Sequence, residues 1–134
     1  MTAIWVLLFG WMAVSELHWL AWVSLAITVA HTLDETIGEG GPIWEYLQRW
    51  FPFPWFAMFA GYVLFQSTVV YLGLRAWTGE AAWIVAFVGQ RLFDVFVTHT
   101  ALRAAQEPNP GHKTAWLLLL DAAFVSGWFL SQAL

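Results

Sequence analysis

The sequence predicts an all-α integral membrane protein: four transmembrane helices in an antiparallel bundle, plus one short amphipathic helix in the interface. Three observations carry this reading. Of 134 residues, 60% are hydrophobic and only 10% are charged, against about a quarter charged in soluble domains. Four apolar stretches each reach or exceed the ~20 residues that cross a bilayer as a helix. The last three are joined by short, turn-rich connections, which make neighbouring helices antiparallel. Residues 1–134 read as a single transmembrane domain.

The same composition excludes other classes. Disordered chains are polar and poor in aromatics, whereas 19% of this chain is aromatic. With no cysteine, there is neither a disulfide framework nor a thiolate metal site. Five Lys and Arg in a chain of net charge -4 leave no basic patch for nucleic acid.

The first span is placed at 4–31. As one helix it would be roughly 40 Å long, so it tilts or breaks near Ser15. The absence of Pro favours one helix. Thr2 and Ala3 supply no basic n-region, so the segment is expected to be retained rather than cleaved. The remaining spans are placed at 54–74, 81–104 and 114–134. Every backbone polar group must be satisfied internally in lipid, which makes the helix the expected form. Thr78-Gly79 turns the chain between the second and third spans, and Glu107-Pro108-Asn109-Pro110-Gly111 between the third and fourth.

In the long connection from Glu35 to Phe53, Gly38, Gly40, Gly41 and Pro42 mark a turn. Ile43, Trp44, Leu47, Trp50 and Phe51 then share a face opposite Glu45, Gln48 and Arg49. This pattern places an interfacial helix at 43–51; the alternative is a solvent-exposed loop helix. Trp5, Trp50, Trp55, Trp77, Trp83 and Trp116 lie near span ends, where indole suits the headgroup region. Trp19 and Trp22 lie deeper, for packing on a partner helix or a pigment. Arg49, Arg103 and Lys113 flank the first and third loops and Arg75 the other side. That asymmetry makes the first and third loops cytoplasmic and puts both termini outside.

Charged groups inside a membrane usually face the bundle interior and mark functional sites. Counted from the first loop, Glu16, His18, Gln66 and Arg91 fall at roughly 18–21 Å depth, and Asp94 and Asp121 at roughly 12–15 Å. This midplane set is either a hydrogen-bond network fixing helix register, a proton, ion or substrate site, or a cofactor ligation site. Arg91 and Asp94, at i, i+3, are expected to pair. Glu16 and Asp121 are left to find His18, Gln66, a proton or a cation.

A second polar group lies near the first loop. His31, Asp34 and Glu35 share one helix face, and imidazole with carboxylates suits iron, manganese or zinc. His99 lies at similar depth and is expected to complete a divalent metal site from a second helix, with His112 close by. Asp94, five residues before His99, is expected on a different side. The alternative is a solvated cluster at a helix C-terminus, where acids oppose the dipole and require His99, Arg103 or Lys113 in compensation.

His31-Thr32-Leu33-Asp34-Glu35 resembles the motif of the HXXEE membrane proteins, small multi-span proteins without an assigned activity. His99, Pro110-Gly111 and Thr114-Ala115 before an apolar run resemble the second half of that family. The resemblance covers roughly residues 17 to 130. Asp34 stands where the motif has its first Glu, a longer carboxylate. The resemblance implies a fold and a membrane location, and it singles out His31, Glu35 and His99.

Three functions follow as expectations. The first is an accessory or structural subunit of a larger membrane complex, contacting other subunits, further copies of itself, pigment or quinone. In it an intramembrane His would ligate haem or chlorophyll, and Gly61, Gly73, Ala82, Ala86 and Gly89 would allow close helix approach. The loops are too small for a nucleotide domain, and no Walker motif or dinucleotide fingerprint is present. The second is a membrane-embedded metal-dependent enzyme built on His31, Asp34, Glu35 and His99. The third is a proton-coupled carrier using Glu16, Arg91, Asp94 and Asp121 as a homo-oligomer.

Overall fold

The computed structural model describes residues 20–39, 41–105 and 108–134, and all regular structure among them is helical. In order the elements are α1 (Leu20–Ile37), α2 (Ile43–Leu47), α3 (Trp55–Ala76), α4 (Ala81–Phe93), a π-helical turn (Asp94–Thr98), α5 (His99–Ala104) and α6 (Ala115–Ala133). Among the described residues, three helices are long and apolar enough to cross a membrane: Trp55–Ala76, Ala81–Ala104 (α4, the π turn and α5 run together) and Ala115–Gln132. They mark the chain as a membrane protein. Glu16, His18 and the question of one helix or two before Leu20 lie outside the described residues.

Two boundaries differ from the sequence reading. α1 continues to Ile37 rather than ending at 31, because no breaker precedes Gly38, whose N–H closes the last turn on the Asp34 carbonyl at 3.1 Å. His31, Asp34 and Glu35 therefore all sit on the helix. α2 is shorter than 43–51. It ends at Leu47, and residues 48–51 continue as turns. Pro52 forces the residue before it away from helical geometry, and the Gln48 amide donates to the Phe53 carbonyl at 2.7 Å. Trp50 and Phe51 remain exposed.

The outside of the molecule is apolar and much of the inside is polar. On α1 the buried stripe is Ala21, Ser24, Thr28, His31 and Glu35, a 3–4 spacing that keeps one face inward. Trp22, Leu33 and Ile37 point out. Leu64 on α3 and Val85 on α4 are 70% and 71% exposed, which suits lipid and not water. Hydroxyls on the spans bond their own backbone, as Ser67 does to the Val63 carbonyl, a habit that removes a polar group from the apolar phase.

α1 packs on α3 and α6, and α4 packs on the same two. Ala21, Ala76, Trp77, Ile84, Phe87 and Val125 form the apolar core at one end. Gly73 is needed there: a Cβ would come within 3.1 Å of the Phe87 ring. Gly61 and Gly89 face open space instead, and Ala82 and Ala86 are exposed, so these four do not bring helices of this chain together. Trp77 is not at a span end facing headgroups. It is 4% exposed and its indole N–H donates to Ser24 Oγ at 2.9 Å.

Beside this core lies a buried ion pair. Arg91 places Nη2 and Nε at 2.8 and 3.1 Å from Asp121 Oδ2, and both residues are 1% exposed. The Ser24 hydroxyl donates to the other Asp121 oxygen, and Arg91 donates to Thr28 Oγ1. The guanidinium also stacks 4.5 Å from the Phe87 centroid. The expected Arg91–Asp94 pair is therefore replaced by a pair across two helices. Asp94 faces His31 instead, and Gln66 bonds Glu35 and Thr32 rather than Arg91.

Removing one partner of such a pair leaves a buried charge alone, at a cost of about 3–5 kcal/mol, whereas replacing both by apolar groups is near neutral. Arg91→Met should therefore lower the Tm of the purified protein sharply, and adding Asp121→Leu should restore most of it. An Arg91→Met protein with the native Tm would show that the pair does not hold the helices.

Candidate metal centre

At the other end of α1, four buried side chains converge: His31 and Glu35 from α1, Asp94 from the π turn and His99 from α5. One ligand atom from each lies within 4.8 Å of all the others. His31 Nε2 stands 3.5 Å from Glu35 Oε1, 3.6 Å from Asp94 Oδ2 and 3.4 Å from His99 Nε2. No member is more than 6% exposed.

The sequence reading put Asp94 on a different side from His99, and the structure overturns this. In an α-helix five residues turn the chain about 500°, leaving side chains about 140° apart. Here the His99 N–H bonds the Asp94 carbonyl, the i→i+5 bond of a π-helix. The extra residue in the turn brings 94 and 99 to the same face. Nothing in Asp94-Val95-Phe96-Val97-Thr98 announces this; only the two polar residues at its ends do.

Asp34 is not in the cluster. It accepts from the Thr114 N–H at 3.2 Å and from the Thr114 hydroxyl at 2.9 Å. Its role is one step removed. Thr114 Oγ1 also lies 3.2 Å from the Gly111 carbonyl, and with its proton on either of these oxygens it accepts from His31 Nδ1, 2.9 Å away. His99 is set similarly. The Asn109 amide N–H donates to the His99 carbonyl at 2.9 Å, so the Asn109 oxygen faces His99 Nδ1 at 2.7 Å and accepts its proton. Nδ1 of both rings is thus engaged outside the cluster, and with the proton held there each ring turns an Nε2 lone pair to the cluster. This is the tautomer that metal-binding histidines adopt when the other nitrogen has an acceptor.

The carboxylates are oriented too. Glu35 Oε2 accepts from the Tyr62 hydroxyl at 2.7 Å and the Gln66 amide at 2.8 Å. Thr32 in turn donates to Gln66 Oε1 at 3.2 Å. That leaves Glu35 Oε1 facing His31. Two Nε2 atoms and two carboxylates then meet in a buried pocket, an arrangement that needs a cation or a proton at its centre. At zinc-like bond lengths of ~2.0–2.1 Å, tetrahedral ligand atoms stand about 3.3 Å apart, close to the spacings around His31.

The loop after α5 closes one side. Pro110 and Gly111 are buried, and Gly111 has φ +83, a region L side chains rarely adopt. A Cβ there would lie 2.6 Å from Glu35 Cγ and 3.0 Å from Cε1 of both His31 and His99. The backbone is pressed onto three of the four ligands at once. On the other side, a cavity of about 440 Å³ beneath α2 reaches Glu35 and Asp94. His112 and Arg103 are exposed and take no part. Lys113 pairs with Glu39 at 2.8 Å and holds that exposed carboxyl below the usual range. The sequence thus brought together three of the four residues of this cluster, His31, Glu35 and His99, and did not bring in Asp94, Tyr62, Asn109 or the anchoring role of Thr114. Polar residues at span ends were the only signal for the last two.

The chain matches no family model, no curated protein and no solved structure, so its function is argued from this geometry alone.

Loss of a partner that orients a metal-bound histidine typically weakens metal binding about 10–100-fold. Asn109→Ala should do this in a cobalt(II) titration while leaving helix content by circular dichroism unchanged. Gly111→Ala should weaken binding at least as much, since it displaces three ligands. Native affinity in both would mean that the loop does not shape the centre.

Proposed function

We propose that this chain is a membrane-embedded metal-dependent enzyme, a four-span antiparallel bundle in which His31, Glu35, Asp94 and His99 hold one divalent transition-metal ion. The observation that carries the proposal is the aim of the two imidazoles. Each has its Nδ1 engaged outside the cluster, by Thr114 or Asn109, and its Nε2 turned to a point shared with two carboxylates.

Two nitrogen and two oxygen ligands without thiolate suit zinc, iron or manganese. Zinc would find its four positions taken. A six-coordinate ion would keep positions for a substrate oxygen and act as a Lewis acid. The cavity reaching Glu35 and Asp94 favours the open arrangement. With Arg49, Arg103 and Lys113 on the cytoplasmic side, the centre lies near the cytoplasmic end of the bundle.

An accessory subunit held by packing alone gives no reason for both histidines to be oriented in this way. A carrier would work through Asp121, which is engaged by Arg91 and Ser24. Haem or chlorophyll ligation calls for one axial imidazole facing a ring, not two facing carboxylates.

The protein purified without chelator should carry about one metal equivalent, in line with a single four-ligand site. His31→Ala and Asp94→Asn should lose it, and His112→Ala should keep it. Because the ligands bind deprotonated, uptake should release protons and weaken as the pH is lowered. Failure to take up zinc, iron, manganese or cobalt around neutral pH would overturn the proposal.

A further inference from the structure

The cavity beneath α2 has one polar end. Glu35 and Asp94 line it at that end, beside Tyr62, while Ile43, Leu47, Phe65, Phe93, Val97 and Ala101 make most of the wall. Its volume, about 440 Å³, lies within the ~300–1,000 Å³ of small-molecule sites. Its rim is exposed and apolar: Phe51, Phe93 and Val97 are 53%, 56% and 48% exposed. Phe93 and Val97 belong to the membrane-capable stretch Ala81–Ala104, so this rim faces the side where lipid chains lie. A second apolar cavity of about 370 Å³ shares Leu47, Phe51, Tyr62 and Phe65 as its wall.

We infer that the cavity takes the hydrocarbon chain of an amphiphile from the lipid phase and brings its oxygen-bearing head to the metal on the Glu35–Asp94 side. This rests on the metal reading above. Three features select this occupant. A water-soluble polar substrate would have to pass an apolar rim, and the buried Pro110-Gly111 segment lies against Glu35, His31 and His99. A wholly apolar occupant would set hydrocarbon against two carboxylates, which is unfavourable. An amphiphile satisfies both ends, and its chain, moving from lipid into an apolar wall, leaves its environment little changed. The chain then acts mainly by raising the effective concentration of the head at the ion.

The test uses the cobalt(II) protein in lipid nanodiscs, titrated with decanohydroxamic acid and acetohydroxamic acid, whose heads chelate through two oxygens. Cobalt absorption reports head binding. Ala101→Phe fills the cavity and leaves the ligands in place. Partitioning into the disc is the same for native and variant protein, so it cancels in their comparison. Ala101→Phe should weaken the decanohydroxamate response about tenfold or more, with cobalt stoichiometry and the acetohydroxamate response unchanged. Equal decanohydroxamate responses would overturn the inference. A diazirine-bearing fatty acid, with crosslinks located by peptide mass spectrometry, gives a metal-free readout. It should label the stretch 93–101 in native protein and lose that label in Ala101→Phe; label retained in the variant would overturn the chain site. Absence of cobalt uptake overturns the metal reading and the head-group half of the inference with it, while the crosslinks still decide the chain half.

Discussion

Between Asp94 and His99 the helix takes one residue more per turn than an α-helix, and the rest of the site depends on that local change. With ordinary α-helical winding His99 would face the bundle and Asp94 would turn toward a different neighbour, or the reverse. The His99 N–H reaching back to the Asp94 carbonyl places both side chains opposite the His31–Glu35 face of α1. A π turn gives up favourable backbone geometry and is found mostly at functional sites. Here it sets a carboxylate and an imidazole from one helix against an imidazole and a carboxylate from another. Each helix supplies one of each, which balances charge and donor type across the interface.

Two polar groups share the buried face of α1, and they behave differently because their hydrogen-bond accounts differ. At Ser24 and Thr28 every donor finds an acceptor: Trp77 gives to Ser24, Ser24 to Asp121, Arg91 to Asp121 and Thr28, and Thr28 to the Ser24 carbonyl. That group contains its own cation and is closed, so it acts as a clamp. At His31 and Glu35 the contacts of Tyr62, Gln66 and the two Nδ1 atoms lie outside the cluster, and two Nε2 atoms and two carboxylates are left to face one another. The first arrangement fixes helix register. The second leaves a centre of negative potential for something positive to fill.

The sequence made the membrane class and the helical spans legible, because composition and apolar run length are summed over many residues and local errors cancel. His31, Glu35 and His99 were legible for a different reason: ionisable groups are costly in a membrane and few are present. What failed were the statements that needed a helical angle or a partner. Arg91 was assigned to Asp94 because i, i+3 neighbours are the nearest visible candidates, yet the helix interface brought Asp121 closer. Asp94 was set apart from His99 by assuming uniform helical winding. Asp34 was grouped with His31 on spacing alone, whereas Thr114, 80 residues away in sequence, draws it out of the cluster. Trp77 was placed at the headgroups by its position near a span end, while its N–H was claimed by Ser24 inside.

The site is also asymmetric in a way that bears on how it would work. Its nitrogens are held from the loop side, where Asn109 and Thr114 fix both rings and Gly111 lies against them. Glu35 and Asp94 line the cavity, and they are held unequally. Glu35 is fixed by two donors, Tyr62 and Gln66, while Asp94 meets His31 from a turn with irregular winding. A ligand arriving from the cavity therefore meets the carboxylate edge first, and Asp94 is the group with more freedom to yield to it. An ion bound here would keep its imidazoles while exchanging or sharing an oxygen position. Rigid nitrogen anchors on the covered side and an adjustable oxygen ligand on the open side are the arrangement expected where a metal must stay bound while its substrate comes and goes.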